Sequence, residues 1–94
     1  MIIVSGRIYV HPGRRDAFLT ISMDAVAEAR DTPGCIDFVV AADPIEPDRV
    51  NVYEQWESEA ALEAFRGDGP GPDLAPDIAH AAVSRHQVSS SGPA

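Results

Sequence analysis

From Arg14 to Arg30 the chain contains neither proline nor glycine, although it holds eight prolines and seven glycines among its 94 residues. Within that stretch Phe18, Ile21, Ala25 and Ala29 recur at three- and four-residue spacing, and Met23 and Val26 widen the stripe. This periodicity predicts an amphipathic helix with one face buried. His11-Pro12-Gly13 precedes it and Thr32-Pro33-Gly34 ends it. A helix with one apolar face must rest on something, and its neighbours read as strands. Ile2–Val10 carries Ile3, Val4, Ile8, Tyr9 and Val10; Cys35–Ala41 carries Ile36, Phe38, Val39 and Val40. Ala42–Asp48, with two prolines, is a turn. Arg49–Trp56 is a third strand whose alternation sets Val50, Val52, Glu54 and Trp56 on one face and Asn51, Tyr53 and Gln55 on the other.

Ser58 is the expected N-cap of a short helix reaching Phe65 or Arg66, with Ala61, Leu62 and Phe65 on its apolar side. Residues 67–73, GDGPGPD, are a loop, and a weak helical turn is expected over Leu74–Ile78. His80–Val88 alternates as a fourth strand, and residues 89–94 form a polar tail expected to fray. The order β-α-β-β-α-β is the α+β, ferredoxin-like split βαβ arrangement: an antiparallel sheet with two helices on one face. The other face is left bare, with Ile3, Tyr9, Tyr53 and Val39 upon it. A bare apolar face invites a second sheet, so the expectation is a homodimer by sheet stacking, a dimeric α+β barrel. Size scaling adds weight to that. A 10 kDa chain buries only about 64% of its open-chain surface, which suffices for one domain over residues 1–88 with little to spare.

Charge narrows the partners. Fifteen acidic residues against seven basic give a net −8, which repels nucleic acid and an anionic membrane surface. All the basic residues are Arg, so Schiff-base chemistry and a lysine base are excluded. The single cysteine, Cys35, permits no internal disulfide and no multi-cysteine metal site. No stretch reaches the roughly 20 apolar residues of a membrane span, and the first ten residues lack the layout of a signal peptide. The expectation is a soluble cytoplasmic domain.

Three motifs carry a resemblance: Pro33-Gly34-Cys35 at the start of the second strand, the DPxxPxR turn over Asp43–Arg49, and VYEQWESEAAL over Val52–Leu62. Over about residues 2–66 the chain resembles the antibiotic biosynthesis monooxygenase domain. The resemblance implies a pocket in each subunit between sheet and helices, where a small aromatic, quinol or polyketide-like substrate meets dioxygen without metal, flavin or other cofactor. In one anthrone-type oxygenase of the family a Trp, an Asn, a Tyr and a strand-four Arg line that pocket. Trp56 matches the Trp and Arg85 is the counterpart of the Arg. Val52 stands at the Asn position, with Asn51 one residue off and so on the opposite face. Leu62 stands at the Tyr position, and Phe65 where many relatives carry a His. The axial His and first-strand Asn of the haem-degrading branch are both missing, which disfavours that chemistry.

The candidate base is Glu54 or His86, with Arg85 beside them; Trp56, Val52, Phe38, Phe65 and Leu62 are the candidate walls. Each has a plainer reading. Trp56 is equally a core aromatic closing the second helix onto the sheet. Glu54 is a general base if burial raises its pKa, a structural ion pair with an Arg such as Arg85, or a group facing a dimer partner. His86 is a base if it faces the pocket and otherwise an edge histidine. His80 and His86, six apart on one strand, lie about 20 Å from each other and cannot share an ion. Cys35 reads as a small buried residue. The GDGPGP loop is a lid or a plain connection. Three functions remain open: a cofactor-independent monooxygenase, a non-oxidative isomerase or cyclase, and a non-catalytic ligand-binding dimer.

Overall fold

One of the two inner strands of the sheet is β1 (Ile2–Val10), with both its edges taken. It pairs antiparallel with β3 (Arg49–Trp56) on one side and with β4 (Ile78–Gln87) on the other; β2 (Cys35–Ala42) pairs with the far edge of β3. The order is β2-β3-β1-β4. Helices α1 (Arg15–Arg30) and α2 (Glu59–Arg66) are the two crossovers, and a 3-10 turn at Ala75–Asp77 leads into β4. The architecture is the ferredoxin-like α+β fold. The computed structural model describes residues 1–67 and 75–94. The loop read as lid or connection therefore lies almost wholly outside the described residues. Among them, no helix is long and apolar enough to cross a membrane.

Alternation decides what meets the helices. From β1 the buried side chains are Ile2, Val4 and Val10; from β3, Val50, Glu54 and Trp56; from β2, Phe38. They form two clusters. Ile2, Val4, Phe38 and Trp56 pack with Ala29 of α1 and Leu62 of α2, flanked by Phe65 and Cys35. Val10 and Val50 pack with Phe18 near the start of α1. Each fully buried side chain of this size contributes about 1.5–3 kcal/mol. Between the clusters the middle of the sheet carries small groups in register: Val52 opposite Gly6, and Gly6 opposite Val83. A Cβ at Gly6 would run into the Ala82 carbonyl oxygen and stand 2.7 Å from the Val83 Cα, so only glycine lets β1 and β4 approach this closely.

The chain departs from expectation in three places. On α1 the buried line is Phe18, Ser22 and Ala29, while Ile21 and Met23 are exposed. Ser22 is buried without an unmet hydroxyl because its Oγ donates to the Phe18 carbonyl at 2.8 Å. The bare face does hold Ile3, Tyr9, Val39 and Tyr53, but in register beside them stand Ser5, Arg7, Asn51, Gln55, His80, Ser84 and His86. It is a mixed polar and aromatic surface rather than an apolar one. Finally, β4 begins at Ile78, ahead of His80, since a register shift after Tyr9 pairs Val10 with Ile78.

Two turns are strongly determined. Gly34 has φ +90°, and a Cβ there would stand 2.5 Å from the Ala61 Cβ, so the Pro33-Gly34-Cys35 motif makes room for α2. In the β2–β3 turn, Asp43 Oδ2 accepts from the Ile45 and Glu46 amides, and its Oδ1 accepts from Asn51 Nδ2 at 2.9 Å. Arg49 bridges Asn51 and Glu46, and the Tyr9 hydroxyl donates to the Glu46 carboxylate. From the first turn of α1, Arg15 Nη1 donates to the carbonyls of Asp43, Glu46 and Arg49 at 3.1, 2.9 and 3.3 Å. These bonds hold the Asp43 carboxyl down at about 2, chiefly through the Glu46 amide and then Asn51.

Candidate active site

Glu54 and Trp56 are two apart on β3 and so share the helix-facing side. Their cross-strand neighbours are Val4 and Ile2 on β1, and Phe38 and Cys35 on β2. This surrounding leaves Glu54 only 6% exposed and Trp56 fully buried. A carboxylate placed there costs several kcal/mol unless it is partnered. The indole Nε1 of Trp56 donates to Glu54 Oε1 at 3.0 Å. On the other side Arg66 Nη2 lies 3.7 Å from Glu54 Oε2, too far for a hydrogen bond. Among the described residues Oε2 accepts no hydrogen bond, so one oxygen is tied and the other faces only a guanidinium.

Three aromatic rings pack against one another on this side of the sheet. Phe38 meets Trp56 edge-on at 6.5 Å, Phe65 tilts over Trp56 at 5.3 Å, and Phe38 meets Phe65 at 5.9 Å. Leu62 is fully buried beneath α2. Ser58 begins that helix as expected, its Oγ accepting from the Ala61 amide at 3.1 Å, which fixes where Leu62, Phe65 and Arg66 fall. Cys35 joins the cluster, and burial first, then the charges of Asp37 and Glu54, push its thiol above its ordinary value of 9.0. It is a protonated, unreactive thiol at neutral pH.

The structure brings together Glu54, Trp56, Phe38, Leu62 and Phe65. Val52 continues the same face, half-buried, opposite Gly6 and Val40. Two candidates fall elsewhere. His86 pairs with Ile3 and lies on the face turned away from the helices, with the whole sheet between it and Glu54. Arg85 is on the helix side, but its guanidinium grips Glu59 at 2.6 Å and Glu63 at 2.7 Å along the exposed flank of α2. Glu54 takes Arg66, not Arg85, as its ion-pair partner, and it faces the helices rather than the bare surface. The sequence reading passed over Arg66 and Gly6. A glycine inside a strand pattern was the available signal for Gly6; nothing in the spacing signalled Arg66, whose place depends on where α2 stops. Beside this cluster an open groove of about 260 Å³ runs between α1 and β2, lined by Leu19, Met23, Val26 and Val40 with Arg30 at its side. Among the described residues no group of three His, Cys, Asp or Glu side chains is placed to hold a metal ion.

Comparison with known proteins covers most of the chain. The family model described as antibiotic biosynthesis monooxygenase matches residues 1–70. A Synechocystis protein of uncharacterized function is 32% identical over 62 residues, which is 66% of this chain; the chain spans 42% of that relative's length. A solved protein of Chloroflexus aurantiacus J-10-fl, provisionally named an antibiotic biosynthesis monooxygenase, is 30% identical with a TM-score of 0.75, covering 97% of this chain and 96% of that one. A second, from Nitrosomonas europaea and provisionally named in the same way, superposes with a TM-score of 0.85 at 15% identity, over 96% of this chain and all of that one. At that identity the likeness is one of fold.

Proposed function

Because the chain belongs to the antibiotic biosynthesis monooxygenase family, we propose that it is a cofactor-independent monooxygenase acting on a small aromatic, quinol or polyketide-like phenol on the helix side of the sheet. The observation that carries this reading is the carboxylate of Glu54, which among the described residues has Oε1 held by Trp56 and Oε2 turned toward Arg66 without a hydrogen bond. Glu54 Oε2 takes the phenolic proton, which leaves the electron pair on the substrate oxygen. The phenolate, as its carbanion tautomer, passes one electron to dioxygen, and the resulting radical pair joins through a new C–O bond. The peroxide formed at a carbon bearing hydrogen then breaks its O–O bond. One oxygen stays as a carbonyl and the other leaves as water with two hydrogens, so each dioxygen supplies one atom to product. Phe38, Phe65 and Trp56 supply orientation and a dry setting.

The same reading includes a homodimer formed by the bare sheet faces, supported by Ile3, Tyr9, Val39 and Tyr53 on that surface. A monomer at micromolar concentration in sedimentation would overturn it. A second function, a non-catalytic ligand-binding dimer, draws support from the full burial of Trp56 and from Val52 and Leu62 at positions that are polar in the anthrone-type oxygenase. Oxygen consumption by chelator-treated protein against hydroquinones and anthrone-like phenols separates the two. Uptake that falls at least tenfold in Glu54→Gln supports the oxygenase; no uptake above the buffer rate, with ligand still bound, supports the binding protein.

A further inference from the structure

Arg66 is the last residue of α2, with its side chain 43% exposed while the Glu54 side chain beside it is 8% exposed. Two other guanidinium groups on the helix side of the sheet are committed differently. Arg85 is bound short by Glu59 and Glu63, and the Arg30 Nε donates to the Phe38 carbonyl at 2.8 Å, beyond the α1 side of the corner. Arg66 approaches Glu54 at 3.7 Å without a hydrogen bond, so its donors are not consumed by that carboxylate. It sits between a buried negative charge and solvent, at the rim of an aromatic-walled corner.

We infer that Arg66 is the group on which the negative charge of an acidic phenol settles when Glu54 takes its proton, and this rests on the site reading above. The transfer conserves charge. The phenolic O–H bond breaks, an H–Oε2 bond forms on Glu54, and the electron pair remains on the phenolic oxygen. One negative charge thus leaves the carboxylate and appears on the ligand. A guanidinium that is held loosely can follow it, whereas one bound short to the carboxylate would oppose the transfer. The planar donor set of Arg suits a phenolate oxygen, and partial exclusion of water strengthens the pairing. The ligand class that follows is a phenol acidic enough to share its proton with a carboxylate, lying with its ring against Phe38 and Phe65 and its oxygen toward the end of α2.

The probe is 4-nitrophenol, whose ionisation is read directly from its absorbance. Glu54→Gln serves as the background, because the amide keeps the shape and the acceptor for Trp56 while removing the competing charge. In that variant, bound 4-nitrophenol is expected to ionise about one to two pH units below its free value, the shift an adjacent cation produces. Adding Arg66→Met should abolish the shift, and adding Arg66→Lys should keep most of it. The exposed helix end makes all three variants compatible with folding, which the emission of the lone Trp56 reports. Failure of nitrophenol to bind, ionisation at or above the free value, or an equal shift in Arg66→Met would each overturn the inference. A shift that depends on Arg66 in a protein that consumes no dioxygen would sustain it while rejecting the oxygenase reading.

Discussion

Two carboxylates on β3 or the turn that precedes it are handled in opposite ways. Asp43 is wrapped by two backbone amides and the Asn51 amide, with Arg49 3.5 Å away. Glu54 is more deeply enclosed, yet among the described residues it has one indole N–H and one distant guanidinium. The turn spends its charge on fixing backbone: every acceptor on Asp43 finds a donor that holds the hairpin in shape. The corner at Glu54 leaves an oxygen available in a place where burial alone would favour filling it with a methyl group. A fold gains nothing from such an oxygen, and a site does.

The comparison can be broken, and the largest effect lies at the corner. Trp56→Ala removes the aromatic that both fills the core and ties Glu54, and should cost about 3–5 kcal/mol in urea unfolding. Trp56→Phe keeps most of the volume and should lose about 1–3 kcal/mol, the penalty of an unpartnered buried acceptor. A loss in Trp56→Phe as large as in Trp56→Ala would mean that the hydrogen bond, not the packing, dominates. Next comes the turn: Arg15→Ala, which strips the cation from three carbonyls, should cost about 1.5–3 kcal/mol by the same measurement.

The sharper contrast is between the two acids themselves. At pH 7 Asp43→Asn should lower the melting temperature, whereas Glu54→Gln should leave it unchanged or raise it, since an isosteric amide removes a buried charge. The stabilisation from Asp43 has a defined pH window. Its carboxyl is held at about 2 against an ordinary 3.8, so its contribution is complete above pH 4 and disappears as pH falls through 2. The melting curves of wild type and Asp43→Asn should therefore converge over that interval; parallel curves would show that the bonds, not the charge, matter. The smallest effect is at Cys35. Because Glu54 helps push that thiol up, behind burial and Asp37, the pH profile of its alkylation should move slightly lower in Glu54→Gln. An unmoved profile would show that burial and Asp37 alone set the thiol.

Much of the scaffold was legible in local chemistry. The bounds of β1 and β3, the Ser58 cap and the division of β3 into two faces all follow from alternation and side-chain type within a few residues. What failed was information held by a distant segment. Ile21 and Ser22 are separated by one step of about 100° on a helix, and only the sheet beneath decides which one is buried. Arg85 and His86 are adjacent on a strand and must point to opposite faces, so they could never have served one site together. That contradiction was visible in the sequence. Which of the two faced the helices was not, because β4 takes its register from β1, across most of the chain.

Arg15 begins α1, yet its three acceptors are 28 to 34 residues further along, on the hairpin. One residue of rotation about the helix axis would swing its guanidinium off those carbonyls and carry Phe18 away from Val10 and Val50. The azimuth of α1 is thus indexed twice, once by an oily contact underneath and once by a charged latch at the rim. Loosening the core at Phe18 would leave the latch to hold the angle. A protein with so small an interior keeps part of its structural memory on its surface.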